Sequence, residues 1–566
     1  MVSAGEKANL EDNPVVKVAA ISFIPEKWDK ENNLKRIESY VRQAASEGAR
    51  IVVTPEGIVE GYLINDVLRS EQRAELEKKF FDIAEPVDGP AVTRIRELAK
   101  ELSVDIILGF LERDEETLYN SCAYIDAEGE IVHVHRKTQM AQEYFEPHFY
   151  HPGWEIKAFD TGHGRFGMMI CFERQIPEVG SALAMDGAKV LFNPSYGSRG
   201  EWNTTMLRGR ARENGAYLLF VHPEQALIIN PKGEVLVDKN PFEGVAYADL
   251  NLSKAKFPHG KQRRPEAFAP VVSRWHEKSN KRWAQTGRIR VAAVQMYAGH
   301  DMDENVEEIC GHLEDCARQG VRVVVFPECV TTGYFRDEIP EYSQEQLLAA
   351  EKKIAQACRR FRVYAVIGTP HYKNGKMYNT ALIIDDQGEA IYRQAKLMLV
   401  KGDNWAVPGD SMAVFHVDDI PCSVLICHDS RYPELVRLPV LAGARLVFYI
   451  SWESDVSSER KVIPYRAQVV ARAVENDVYI VQVNAPQSYE PFEGSHGQSR
   501  IVDYDGVILQ EAPIADDAVL IEDLDITKAR AGYPHRTWRD EYMLKDWYQQ
   551  GVKRIKVIPP KSREEE

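Results

Sequence analysis

Two hydrophobic periods alternate along the chain. In NLKRIESYVRQAASEGARIVV, Leu34, Ile37, Val41 and Ala44 recur at intervals of three and four, the signature of a helix with one apolar face, and Gly48 supplies a helix stop. The apolar run around Ile51 that follows is too short and too uniformly hydrophobic for a second helix and predicts a buried strand. The same succession recurs through Val306, Ile309, Leu313 and Ala317 into VRVVVFPE. Short apolar strands separated by helical periods continue as far as VLFNPS and LVFYIS, which predicts an α/β class with largely buried strands.

The pattern is one long unit written twice. VKVAA at Val16 recurs as IRVAA at Ile289, ARIVVTPEGIVEGY as VRVVVFPECVTTGY, and YNSCAYIDAEGE as YNTALIIDDQGE. Further on, MMICFERQIPE answers VLICHDSRYPE, RAREN answers RAVEN, and DLNLSKAKFPHG answers DLDITKARAGYPH, with index differences that stay between 256 and 276. Constant order at so long a period indicates two homologous domains, not a short-repeat solenoid. The expected boundaries are 13–270 and 288–550, with 271–287 as linker and 551–566 as a charged C-terminal tail. The basic, Trp-containing stretch SRWHEKSNKRWAQTGR at the junction reads as a solvated linker or docking arm.

Composition narrows the function classes. With 566 residues, 44% hydrophobic and 28% charged, the chain can bury large cores, and its net charge of -16 argues against a general polyanion binder and so against nucleic acid as a partner. No apolar stretch approaches the roughly 20 residues that span a bilayer, and the start MVSAGEKANLED lacks the regions of a signal peptide, so a cytoplasmic location with no membrane partner is expected. The eight cysteines show no CxxC spacing and suit reduced thiols better than a disulfide frame or zinc site.

Three reactive side chains fall at predicted strand ends in each copy. Glu56 and Glu328 each follow an aliphatic run and a proline; Lys137 and Lys396 each lie eight residues after the turn glycines Gly129 and Gly388; Cys171 and Cys427 each close an apolar run just before a Pro-Glu pair that predicts the first turn of a helix. A lone cysteine of this kind is ordinarily core filling. What separates this pair from that reading is the recurring company of an acid and an amine, although the residues flanking the two thiols differ, FERQI against HDSRY. A zinc site at His133-x-His135 lacks a third ligand, and the second copy has Tyr392 and Gln394 there, so no metal is expected. A helix N-terminus or neighbouring cation would lower the thiol's pKa from its usual value near 8.5. An enclosed glutamate, its pKa raised from about 4.3, could take the thiol proton and return it to a leaving amine. The ammonium could stabilise the oxyanion formed on attack at a carbonyl carbon. Together these groups describe acyl transfer through a thioester that water then opens.

On these motifs, the glutamate after VVxPE, the lysine after a G-E-x-I strand, and I-C-x-[ED]-x-x-x-P-E, both halves resemble the nitrilase superfamily of carbon–nitrogen hydrolases. The resemblance implies tandem αββα four-layer sandwich domains that pair as an intrachain pseudo-dimer, on which a homo-oligomer could be built. It also implies a Glu-Lys-Cys triad acting without metal or cofactor on a small-molecule amide, carbamoyl compound or nitrile. Carried onto this chain, Glu56 becomes the base, Lys137 the oxyanion partner and Cys171 the nucleophile, with Glu328, Lys396 and Cys427 as the second set.

The copies part at a second glutamate that the resemblance implies six residues before a Pro-Gly. Pro152-Gly153 puts it on Glu146, whereas Pro408-Gly409 puts it on Gly402, in a loop where the Lys-to-Pro interval shortens from 15 residues to 12. The second site therefore either lacks its second acid or uses Asp403 as a substitute, and the first site is favoured as the active one. Two other classes compete with a thiol amidohydrolase. A metal-dependent phosphoesterase would need no strand-end thiol, and a binding or scaffold protein with one or both sites degenerate would form no adduct at Cys171.

Overall fold

The computed structural model describes residues 15–141, 146–256, 287–453, 459–489, 492–531 and 551–558. They fall into two compact units, one ending before the junction at Gly260 and one beginning after it. All of the expected linker except Gly287 lies outside the described residues.

The first unit contains twelve strands: β1 (Val15–Ser22), β2 (Ile51–Val53), β3 (Asp105–Asp114), β4 (Thr117–Ile125), β5 (Ile131–Arg136), β6 (Phe159–Thr161), β7 (Gly164–Met168), β8 (Val190–Pro194), β9 (Tyr217–His222), β10 (Gln225–Ile229), β11 (Val235–Lys239) and β12 (Gly244–Asn251). One mixed sheet runs β12-β1-β2-β3-β4-β5 and the other β11-β10-β9-β8-β7-β6. The two sheets share an apolar layer in which Val18, Val53 and Tyr124 of the first meet Phe166, Phe192 and Leu219 of the second. Each such side chain taken from water stabilises the unit by roughly 1.5–3 kcal/mol. Helices cover the outer faces. The helix Lys30–Ser46 begins where Asp29 accepts a hydrogen bond from the Asn32 N–H at 3.0 Å, and it buries Leu34, Ile37, Val41 and Ala44 against the first sheet, as the periodicity predicts. On the far side, Pro177–Met185 and Glu201–Asn214 lie on the second sheet. The layers are thus α, β, β, α.

The second unit repeats the plan with β13 (Arg288–Gln295), β14 (Val323–Val325), β15 (Tyr364–Lys373), β16 (Lys376–Ile384), β17 (Ala390–Ala395), β18 (Met412–Val417), β19 (Ile420–Ile426), β20 (Leu446–Ser451), β21 (Tyr479–Asn484), β22 (Gln487–Tyr489), β23 (Phe492–Gly494), β24 (Arg500–Val502), β25 (Ile508–Glu511), β26 (Ala518–Asp525) and β27 (Ile555–Val557). Its sheets run β17-β16-β15-β14-β13-β26 and β25-β24-β21-β20-β19-β18-β27, with β22-β23 as a separate hairpin that the first unit's short β9-β10 turn lacks. Two expectations are corrected. The helix Met302–Arg318 buries Cys316 where the periodicity placed Ala317, which is only partly covered. Part of the segment expected as a charged tail is also structural, since Ile555 pairs with Met412 and Val557 with Val414 at the sheet edge.

The layering sets where chemistry can occur. β1, β2 and β3 run parallel, as do β7, β8 and β9, so each set delivers its strand ends to one side. Glu56 follows β2, Lys137 follows β5, and Cys171 follows β7.

Candidate active site

The first unit brings its predicted acid, amine and second acid into contact. Lys137 Nζ lies 2.9 Å from Glu56 Oε1 and 2.7 Å from Glu146 Oε1, and all three side chains are fully buried. Burial alone would push the Lys137 proton off, but the two carboxylates reverse this and hold its pKa above the usual lysine range. Burial also raises the pKa of Glu146, against the pull of Lys137. Two further side chains fix these carboxylates: the Tyr62 hydroxyl donates to Glu146 Oε1 at 2.7 Å, and Asn120 Nδ2 donates to Glu56 Oε1 at 2.7 Å. The Ala141 N–H donates to Glu146 Oε2 at 2.6 Å. Glu56 Oε2, in contrast, is buried and accepts no hydrogen bond among the described residues.

Cys171 occupies a sharp elbow. Its φ is +47°, a left-handed conformation uncommon for a residue with a side chain, and it opens the short turn Cys171–Gln175 ahead of the helix Pro177–Met185. It is 4% exposed. Arg174 Nη1 approaches its sulfur at 3.6 Å while Nε and Nη2 are held by Asn203 and the Ser198 carbonyl. The expected lowering of the thiol pKa does not occur. Burial raises it, Glu56 raises it further, and Lys137 and Arg174 offset only part of this. The resting sulfur therefore carries its proton, and reaction requires a base.

The second unit rebuilds the cluster with different parts. Lys396 Nζ lies 2.7 Å from Glu328 Oε1 and 3.0 Å from Asp403 Oδ2, so the position left vacant at Gly402 is filled by its neighbour. A turn at Lys401–Asp403 and the shorter loop carry the shorter acid inward, where the Tyr334 hydroxyl donates to Asp403 Oδ1 at 2.5 Å and the Val400 N–H to Oδ2 at 2.8 Å. Asn379 Nδ2 donates to Glu328 Oε1 at 2.7 Å. Here the base is fully engaged, because the Trp452 N–H donates to Glu328 Oε2 at 2.8 Å. Cys427 shares the elbow geometry, with φ +48°, and is partly exposed.

Three pairs of residues went unassigned at the level of sequence: Tyr62 and Tyr334, Asn120 and Asn379, Glu173 and Asp429. Each pair stands at matching positions of the quoted repeats, and that recurrence was the available signal. Glu173 accepts from the Thr138 N–H at 2.7 Å and the Ile170 N–H at 2.6 Å, tying the residue after Lys137 to the residue before Cys171. His135 Nε2 lies 2.7 Å from Glu173 Oε2, and His133 stacks on Phe159 at 4.7 Å. Both rings of the discarded zinc pair thus have other partners.

Among the loops that follow the strands, EYFEPHFY contributes Phe149 and Tyr150 as packing against Phe80, at 5.4 and 6.0 Å between ring centroids; Glu143, Tyr144 and Phe145 lie outside the described residues. From NPSYGSRGEW, Tyr196 stacks on Tyr62 at 4.6 Å and Arg199 pairs with Glu224 at 3.1 Å. Residues 454–458 of SWESDVSSER also lie outside the described set. No described helix is long and apolar enough to cross a membrane.

Residues 17–257 and 290–532 each match the family profile described as carbon-nitrogen hydrolase. The N-carbamoylputrescine amidase of Solanum lycopersicum is 31% identical over 302 residues, covering 46% of this chain and 97% of that protein. The nitrilase of Pyrococcus abyssi is 30% identical over 264 residues, covering 43% and 93%. Among solved structures, the amidase from Nesterenkonia sp. is similar at 26% identity and a TM-score of 0.39, covering 45% of this chain and 97% of that one.

Proposed function

The chain belongs to the carbon-nitrogen hydrolase family, and on that premise we propose that its first unit is a thiol-dependent amidohydrolase, cleaving a non-peptide amide or carbamoyl C–N bond to an acid plus ammonia or an amine. The observation that carries this reading is the unengaged Oε2 of Glu56, a buried acid whose charge acts on a thiol that keeps its proton. Glu56 takes the Cys171 proton as sulfur adds to the carbonyl carbon, and Lys137 offsets the negative charge that develops on oxygen. The C–N bond then breaks, the amine leaves with the proton held by Glu56, and the acyl group remains on sulfur as a thioester. Water, deprotonated by the same carboxylate, attacks the thioester; the acid is released and the thiol restored. Lys137 itself cannot be the base, because Glu56 and Glu146 stabilise its charged form.

The activities of these relatives, a carbamoyl amidase and a nitrilase, support a small C–N substrate without choosing between carbonyl and nitrile. A panel of amides, carbamoyl amino acids and nitriles, read by ammonia release, tests the reading. The expected result is turnover of at least one amide or carbamoyl compound, blocked by iodoacetamide, unaffected by a chelator, and lost in Cys171→Ala and Glu56→Gln. Turnover that survives Cys171→Ala together with Cys427→Ala would overturn it.

A further inference from the structure

The two units differ at the residue that approaches the first unit's thiol. In the first unit this place belongs to Gly197, where a Cβ would stand 3.0 Å from the Cys171 sulfur with no other atom close. The corresponding residue of the second unit, at the same 256-residue offset that relates Cys171 to Cys427, is Glu453. It is 3% exposed, and the residue before it, Trp452, donates its N–H to Glu328.

Glu453 is built into a network that the first unit lacks. Its Oε1 accepts from the Tyr449 hydroxyl, at a position that is Asn193 in the first unit. Ser430, three residues after Cys427, donates to the Tyr449 oxygen at 3.0 Å and accepts from Gln468 at 2.7 Å. Glu453 Oε2 accepts no hydrogen bond among the described residues; His496 Nε2 lies 3.5 Å away, just beyond the β22-β23 hairpin, which the described residues of the first unit lack. Burial would favour the neutral acid, but His496, Tyr449 and Arg431 outweigh it and keep the carboxylate charged. That charge acts on Cys427, adding to the effect of burial and Glu328 in raising the thiol's pKa. A fixed negative charge beside a thiol that must become an anion opposes attack unless a bound cation compensates it.

We propose that the second unit is a centre of different specificity, in which Glu453 selects small amides that carry a protonated amine. The proposal rests on the hydrolase reading of the strand-end thiol, applied to Cys427. A ligand ammonium donating to Oε2 satisfies the one open acceptor of a buried carboxylate and removes the electrostatic obstacle to the thiolate in the same step. The first unit, with glycine there, has no such requirement.

Two measurements test this separately. Cationic 2-aminoethyl methanethiosulfonate and its anionic sulfonatoethyl counterpart are compared on the full chain, with the neutral methyl reagent as reference and peptide-resolved mass spectrometry as readout. Cys427 is expected to prefer the cationic reagent by about ten-fold or more over a Glu453→Gln protein, with Glu453→Asp retaining the preference and Cys171 unaffected by either change. In a Cys171→Ala background, 5-aminopentanamide is expected to exceed pentanamide in kcat/KM by about ten-fold, and Glu453→Gln to erase the difference. An unchanged reagent ratio in Glu453→Gln overturns the charge assignment. Normal charge selectivity with neither amide turned over overturns the second unit as a hydrolytic centre while leaving the first unit's activity to the panel above.

Discussion

Replacing Lys137 by methionine removes the one cation between two buried carboxylates while roughly preserving volume. Nζ sits 2.9 Å from Glu56 and 2.7 Å from Glu146, with every partner fully buried. At an effective dielectric near 20, each contact corresponds to about 6 kcal/mol of Coulomb attraction before desolvation is subtracted. Breaking a buried pair by removing one partner costs about 3–5 kcal/mol overall. In the variant, Glu56 and Glu146 share a dry pocket without a counter-charge, so at least one holds its proton to a higher pH than in the unfolded chain. A carboxyl whose folded pKa is raised contributes stability that is complete below its unfolded pKa and is lost as pH rises through the folded value. Lys137→Met should therefore be most destabilised at pH 8 and recover toward pH 5.

Cys122, fully buried on β4, reports opening of this unit alone. The protein is equilibrated in a urea series at each pH, pulsed briefly with a thiol reagent at one common pH, and read peptide by peptide. With a urea dependence of about 2–3 kcal/mol per molar, the Cys122 midpoint should fall by about 1–2.5 M at pH 8. A Lys137→Met/Glu146→Gln double variant should regain part of that loss and flatten its pH dependence, while hydrolysis by the first unit stays absent in both. An unshifted Cys122 midpoint at pH 8, or a loss that grows toward pH 5, would refute the account of Lys137 as the charge that holds the two acids together.

Gly109→Ala would bring a Cβ to 2.3 Å from the Pro55 carbonyl and 3.0 Å from Glu56 Cα, so it should shift the base, cut kcat at least about ten-fold and destabilise the unit by about 1–3 kcal/mol; an unchanged kcat in the folded variant would show that Glu56 tolerates displacement. Alkylation of resting Cys171 should keep accelerating as pH rises above 9, because burial and Glu56 raise its pKa; a plateau below pH 8 would instead report a preformed thiolate. Asp429, pushed up to about 7 by burial against the N–H bonds from Leu397 and Met398, should make the second unit less stable as pH rises from about 4 through 7, and Asp429→Asn should remove that slope. Hydrogen exchange along β19 and β20 measures it, and a slope that persists in the asparagine variant would assign it to another group.

Periodicity, duplication and strand-end chemistry were legible in the residues themselves, because each depends on local order. Leu34, Ile37 and Val41 had to share a helix face wherever that helix packed, and the apolar runs before Glu56 and Cys171 had to be strands leaving a covered sheet. The repeats even contained the aids to the site, Tyr62 with Tyr334 and Asn120 with Asn379, although spacing alone gave them no role. Tertiary structure decided what depends on which atoms meet across dozens of residues. Counting to Gly402 could not show that a tighter turn would carry Asp403 onto Lys396. Nor could helix-start reasoning weigh a favourable N-terminus against the burial that keeps the Cys171 proton in place. The contrast between an open Glu56 Oε2 and a Glu328 Oε2 bound by Trp452 exists only in the packed state. Hydrogen bonding and desolvation change over a few tenths of an ångström, a scale that packing fixes and residue order does not.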